Sequence, residues 1–431
     1  MHQPSIAPTL ALAGSLLLAS AGFAQPDLPP TTPATTSPAT PPIKVFKPIC
    51  AGARPPQATI DAIGARHAAG MQGAERTIIV PTTDAGLRLR FEVAGPAPAG
   101  TTEALAAIAD LYAGIVADDV ELTIEILFEP LGTIHGLPIL GAAGDSYRSL
   151  PYAAVRATLI DTMDGDDVIE ASLPDAASLR IIYGLEPGAR TEDRDALLTG
   201  VALRALLDGQ APAPLPVSLS STAPWDTDPA DGVAPDSYCL RSVMTHEIGH
   251  VLGFQSNVDL LFGATLLPLD IYRFRQSNGG ADLNPDTYAR FITAPRTVYF
   301  DAPGAPDQDE AILDFIAAEI PMADGDPWQG SHLRKMDPPL GAMDPDIVGG
   351  ETDYPGYLTA ADLRPLDALG WTITLACPAD CDGSGSLDFF DFLCFQDAFD
   401  AGDPSADLDG DGELTVFDFL AFQNAFDAGC G

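Results

Sequence analysis

Positive charge is what this sequence has least of. Its 431 residues carry 21 lysines and arginines against 61 aspartates and glutamates, a formal charge of −40. Such a surface repels phosphate backbones and anionic lipid, which argues against nucleic acid or a membrane surface as partner. Most of the acidity reads as a well-solvated exterior. Long apolar runs are scarce too. The one present, "PTLALAGSLLLASAGFA" at 8–24, closes on small residues, with Gly22 and Ala24 before Gln25. That is the pattern of a secretory signal peptide over 1–24, although its leading segment holds His2 and no Lys or Arg. No other stretch approaches the roughly 18 apolar residues of a spanning helix, so no membrane span is expected in the mature chain. Histidine and cysteine number six each. Export places the cysteines where pairing is the default, and the expected location is secreted or extracellular, cell-surface attachment included.

Residues 25–43 form a Pro/Thr-rich linker that cannot build a core. Ordinary globular composition follows over 44–375. Within it "LRLRFEV" (87–93) and "ELTIEILFE" (121–129) read as strands. Leu105, Ile108, Tyr112 and Ile115 recur at helical spacing behind Thr101 and Thr102, which can cap a helix, and a second helix is expected over 193–207. The mixture predicts an α+β domain. "PVSLSS" (216–221) suits an edge strand that pairs with an extended peptide, or an ordinary strand or loop.

The chemistry concentrates in "THEIGHVLG". His246 and His250 are four residues apart, which puts both imidazoles on one helix face, the spacing of two ligands of a catalytic zinc. Glu247 stands beside such a metal, where a carboxylate can take a proton from water. Asp236 and Ser237 supply capping chemistry, and Gly253 stands where a helix can stop through positive φ. The third ligand is not adjacent, because Ser256 carries a hydroxyl, a poor zinc ligand. Outside the helix the mature chain has His67, His135 and His332, while Asp259 and Glu319 offer carboxylates instead.

This stretch resembles the metzincin zinc proteases, whose pattern is HExxHxxGxxH with a distant methionine turn. Its layout is similar to that of the leishmanolysin group: an insertion after the glycine, a third histidine, then the methionine. The resemblance, carried on "THEIGHVLG", "GSHLRKMDPPLGAMDP" and the closing helix "LTAADLRPLDALGW" (358–371), implies His246, His250 and His332 as zinc ligands. It implies Glu247 as general base, Met343 as the floor under the metal, and Gly253 as the turn. It also implies a mixed twisted sheet with an active-site helix. Asp259 and Glu319 stay open as rival third ligands. Cys50 has two readings, a thiolate that masks zinc or a structural disulfide with Cys239.

The last residues, 376–431, differ in kind. Residues 380–403 and 407–430 align without a gap at an offset of 27, with 16 of 24 positions identical. Read as twelve-residue calcium loops, Asp380, Asp382, Ser384, Asp388 and Asp391 take positions 1, 3, 5, 9 and 12 of the first, with Ser386 at 7 through its carbonyl. Asp407, Asp409, Asp411 and Asp418 take 1, 3, 5 and 12 of the second, with Glu413 at 7. Each loop precedes a helix and none precedes the loop. The units resemble type I dockerins, EF-hand-like modules that bind cohesins, so a cohesin-like or cell-surface protein is the implied partner. Cys381 and Cys394 are placed to pair inside the module, and Cys377 and Cys430 to clasp its ends. The whole reads as a secreted zinc endopeptidase with one catalytic Zn2+ and two structural Ca2+. The alternative is a non-catalytic adhesion or scaffold protein with a vestigial zinc site.

Overall fold

The computed structural model describes residues 43–428 apart from 50–56, 83–85, 135–136, 164–169, 171–172, 174, 176–178, 184–189, 209–212, 258–265, 278–279, 282–287, 291–297, 301–319, 324–328, 337–338, 348, 351–357, 375–378, 380, 382–388, 403–405, 407 and 409–413. The signal-peptide and linker expectations, Cys50, His135, Asp259, Glu319, Cys377, Cys430 and most calcium-loop positions therefore lie outside the described residues.

The fold is mixed α+β, with eight helices and a mixed seven-stranded sheet among the described residues. The strands are β1 (Ile43–Ile49), β2 (Arg76–Ile79), β3 (Arg88–Ala94), β4 (Glu121–Glu129), β5 (Gly141–Pro151), β6 (Ala196–Thr199) and β7 (Leu215–Ser220). Their order is β1-β5-β7-β4-β3-β2, with β6 also paired to β5. Strands β3, β4 and β7 run parallel to one another, and β2, β5, β1 and β6 join antiparallel to their neighbours. The period of two is explicit on the core face. Leu89, Phe91 and Val93 of β3 and Leu122, Ile124 and Ile126 of β4 are buried in one cluster, each contributing about 1.5–3 kcal/mol. Residues 216–221 are no edge strand, since β7 lies between β5 and β4 and is buried along most of its length.

Helices α2 (Thr101–Ile115) and α5 (Leu240–Leu252) share the large core cluster of that face. The opposite face is covered by α1 (Gln57–Met71), whose Ile63 packs with Leu131, Ile139 and Ala142. A polar chain running from the exposed Arg66 to the buried Glu129, Ser218 and His67 also pins α1. Arg66 Nε donates to Glu129 at 2.5 Å, Ser218 Oγ donates to the other Glu129 oxygen at 2.7 Å, and His67 Nδ1 lies 3.0 Å from Ser218 Oγ. Neither α2 nor α5 has a side-chain cap. Gly100 and Cys239 are the N-cap residues, so Thr101 and Ser237 do not act as expected.

The helix expected over 193–207 is split. Residues 196–199 form β6, and α4 (Val201–Asp208) starts only after Gly200. The reason is tertiary. The Asp145 carboxylate on β5 accepts from the Val201 amide at 2.9 Å, and a Cβ on Gly200 would fall 1.9 Å from it. A distant residue thus supplies the cap. Helices α3 (Tyr152–Asp161) and α6 (Ala360–Asp367) complete this part.

Near the C-terminus, α7 (Phe389–Ala401) and α8 (Val416–Ala428) build a small core of their own. Phe395 and Phe422, equivalent in the repeat, stack with centroids 4.4 Å apart. Cys381 and Cys394 form a disulfide. No helix among the described residues is long and apolar enough to cross a membrane.

Candidate metal centre

The metal-ligand candidates start on α5, whose residues 242–252 are all buried. A helix buried all round is ordinarily apolar, yet this one carries Thr245, His246, Glu247 and His250 at 0–3% exposure. Burying such groups costs several kcal/mol unless each is satisfied, and that cost marks the helix as serving something besides packing. It ends at Gly253, whose φ of 121° lies in the region open to glycine, with methyls of Leu203 and Leu369 only 3.1 and 3.2 Å from a Cβ placed there.

The chain then returns to the helix through a polar clasp. Ser256 does not point a ligand at the site. Its hydroxyl donates to Asp270 Oδ1 at 2.5 Å, and its amide donates to Ser331 Oγ at 2.9 Å. The other Asp270 oxygen accepts from the amides of Asn257 and Leu267. Ser331 precedes His332, so the serine that stands in place of the third histidine anchors the segment that carries one. Backbone pairing holds His332 from both sides. The Ala323 amide donates to the His332 carbonyl at 3.0 Å, and the Leu333 amide to the Met343 carbonyl at 2.9 Å.

The result is a triad of buried imidazoles. His246, His250 and His332 place candidate ligand atoms within 4.8 Å of one another, with ring centroids 4.7–5.2 Å apart. Each Nδ1 faces a backbone carbonyl: Ala342 at 2.6 Å, Phe254 at 2.6 Å and Gln329 at 3.1 Å respectively. A carbonyl only accepts, so Nδ1 carries the proton and the basic lone pair belongs to Nε2, the arrangement typical of metal-ligating histidine. Burial pushes His246 down to about 4 against the support of the Ala342 carbonyl, which keeps the imidazole neutral at physiological pH. The ε nitrogens of His246 and His250 are 3.0 Å apart. Three nitrogens about 2.0–2.1 Å from a tetrahedral zinc would be spaced by about 3.3 Å, so the donor set fits that ion.

Two further groups complete the surroundings. The carboxylate of Glu247 lies against the backbone of β5, where a Cβ on Gly141 would fall 2.1 Å from Oε1. Met343 is buried under the helix, with its sulfur 2.3 Å from where a Cβ on Gly249 would be. Met343 is held in turn by Asp362 at the start of α6. The carboxylate of Asp362 accepts from the amides of Ala342 at 2.9 Å, Met343 at 2.8 Å and Thr359 at 2.7 Å. Burial raises Asp362 to about 6, opposed by those donors. One carboxylate therefore fixes both the methionine and the carbonyl that orients His246.

Sequence reasoning missed Asp270, Ser331, Gly141 and Asp362. Only Asp362 had a local signal, the T-x-x-D spacing from Thr359, which forms a capping box. His67 is buried in the α1 network and takes no part in the triad. Of the calcium-loop residues, Asp391 and Asp418 are described and fully buried, and Asp418 accepts from the amides of Leu408 at 2.9 Å and Thr415 at 2.6 Å. Cys239 is buried at the N-terminus of α5. Set against protein-family models, curated proteins and solved structures, the chain matches none of them.

Proposed function

We propose that this chain is an exported zinc endopeptidase of the metzincin type, with a split third ligand like that of the leishmanolysin group. The observation that carries the reading is the convergence of three buried imidazoles, with the buried Glu247 next in sequence to His246. His246, His250 and His332 would hold the zinc, and the ion supplies Lewis acidity that polarises a carbonyl and makes water more acidic.

The protein's own part is proton handling and orientation. Glu247 accepts a proton from the attacking water as its oxygen bonds to the scissile carbonyl carbon. It then delivers that proton to the departing amine as the C–N bond breaks. The Ala342, Phe254 and Gln329 carbonyls hold the three rings in the ligating tautomer. Met343 supplies a firm floor that limits their tilt.

We propose further that 376–431 is a dockerin-like module with two calcium loops. Its helices expose Phe389, Phe390, Val416 and Leu420, an apolar set suited to a protein partner. The test of the enzyme is hydrolysis of casein or a peptide library by the wild type and Glu247→Ala, with zinc measured on both. The expected result is one zinc in each and hydrolysis reduced at least about a thousandfold in the variant. Equal activity in the two would end the reading.

A further inference from the structure

Glycine weakens the interior of a strand, and one found there often marks the close approach of another group. Gly141, at the start of β5, is such a residue. Its backbone asks for nothing unusual, since it sits in regular antiparallel register with Leu219 on one side and Ile49 on the other and has no positive φ. Conformation alone would therefore admit any side chain.

Space does not. Side chains alternate between the two faces along a strand, and the small residues of β5 show which face each one meets. Ala142 packs with Ile63 of α1, whereas Ala143 belongs to the large core that α5 shares. A side chain at 141 would project to the same face as Ala143. There the fold accepts a methyl at 143 and has no room for one at 141. A Cβ on Gly141 would fall 2.1 Å from Glu247 Oε1, 2.8 Å from its Cδ and 3.1 Å from its Cγ. The obstruction involves the whole carboxyl group and the methylene behind it, so more than a mobile tip would have to move. Glu247 is fully buried and cannot relieve such a contact by swinging into water.

We propose that Gly141 is a positioning residue for Glu247, its missing side chain forming the seat in which the carboxylate rests against the backbone of β5. A glutamate side chain is long and free to rotate, and a seat of this kind removes that freedom before a substrate arrives. The seat itself rests on packing, and its bearing on hydrolysis rests on the endopeptidase reading.

The experiment is a double-mutant cycle in the full-length, zinc-loaded chain: wild type, Gly141→Ala, Glu247→Ala and the double variant, each unfolded in urea. Gly141→Ala should lower the urea midpoint while Glu247 is present. It should leave the midpoint unchanged or raise it once Glu247 is alanine, because the truncated side chain vacates the space that the methyl takes. A chain that folds as the double variant and not as Gly141→Ala would be the same coupling in its extreme form. On a peptide library, Gly141→Ala should lower kcat about a hundredfold, with KM and zinc content unchanged. Equal shifts of the midpoint in both backgrounds, or hydrolysis by Gly141→Ala at the wild-type rate, would overturn the assignment. Coupled midpoints with no hydrolysis by the wild type would overturn the endopeptidase reading instead and leave the seat in place.

Discussion

At the scale of single residues, the polar groups behind the triad carry sharper consequences than the ligands. Ser331 binds the Ser256 backbone through both its donor and its acceptor, with the hydroxyl 2.9 Å from the amide and 3.3 Å from the carbonyl. If that clasp positions His332, Ser331→Ala should weaken zinc about 10- to 100-fold, read by competition with a chromogenic chelator, and Ser331→Thr should restore it. A fold-neutral role for Ser331 would leave zinc affinity unmoved in both variants. Asp344 offers a cleaner electrostatic test. It is buried next to Met343, its Oδ2 has no hydrogen-bond partner, and burial raises it from 3.8 to about 7, opposed by the Asp346 amide that donates to Oδ1 and by Lys335, while the Asp346 carboxylate pushes the same way as burial. Between about pH 4 and 7 the folded chain keeps a proton that the unfolded chain has released, so this group's contribution to stability falls as pH rises. Asparagine has no proton to lose. Asp344→Asn should therefore gain on the wild type by about 1 kcal/mol or more across that window, in urea denaturation at pH 4.5 and pH 7.5. A gap that does not change with pH would place the carboxyl in water.

At the scale of elements, α5 shows how a helix with buried polar side chains is stabilised from outside. Its N-terminus lacks a side-chain cap, and its polar residues face inward. Tertiary bonds compensate: Tyr112 Oη donates to the Thr245 carbonyl at 2.9 Å, Gln255 Nε2 to the His250 carbonyl at 2.6 Å, and Trp371 Nε1 to the Leu252 carbonyl at 2.8 Å. Gly253 then turns the chain toward Asp270 and Ser331. Gly253→Ala should cost about 1–2 kcal/mol from the backbone alone, and more where its Cβ meets Leu203 and Leu369, measured as a shift in the urea midpoint. An unchanged midpoint would mean that the turn relaxes at no cost.

Much at this scale was legible in the sequence. The strand over 121–129 has the expected limits, and Leu105, Ile108 and Tyr112 face the core of α2 as their spacing requires. Other elements were not legible, for a stated physical reason in each case. The run 193–207 has helical periodicity, but Asp145, far off in the chain, starts the helix at Val201 and leaves 196–199 to pair with β5. Residues 216–221 look like an edge because serines alternate with apolar side chains. Ser218 is instead buried against Glu129 and His67 in the middle of the sheet.

At the scale of the whole molecule, two cores invite independent perturbation. Phe395, Phe422, Ala379 and Ala406 form a cluster distinct from the large one beneath α5. Asp391 and Asp418, at position 12 of the two proposed calcium loops, are fully buried carboxylates, a burden that a bound cation would relieve. A calcium-selective chelator should unfold 376–431, seen as lost helical circular dichroism and rapid proteolysis, while the zinc content stays constant. Insensitivity of both signals to calcium would remove the calcium loops from the proposal.

The types and spacings of the reactive residues were written locally: two histidines and a glutamate on one turn of helix, a glycine to end it, and acidic positions repeating at an offset of 27. Those follow from the geometry of a helical turn and of a twelve-residue loop, and need no other part of the chain. What brings His332 to His246 across 86 positions is of another kind. It depends on a backbone ladder from Pro321 through Leu333 to Met343, on the Ser256–Ser331 clasp, and on the Asp362 carboxylate, each joining residues that no local pattern relates. The same holds for the place of Glu247 against β5. A glycine carries no signature of what lies over it, so the group it admits appears only when the helix packs on the sheet.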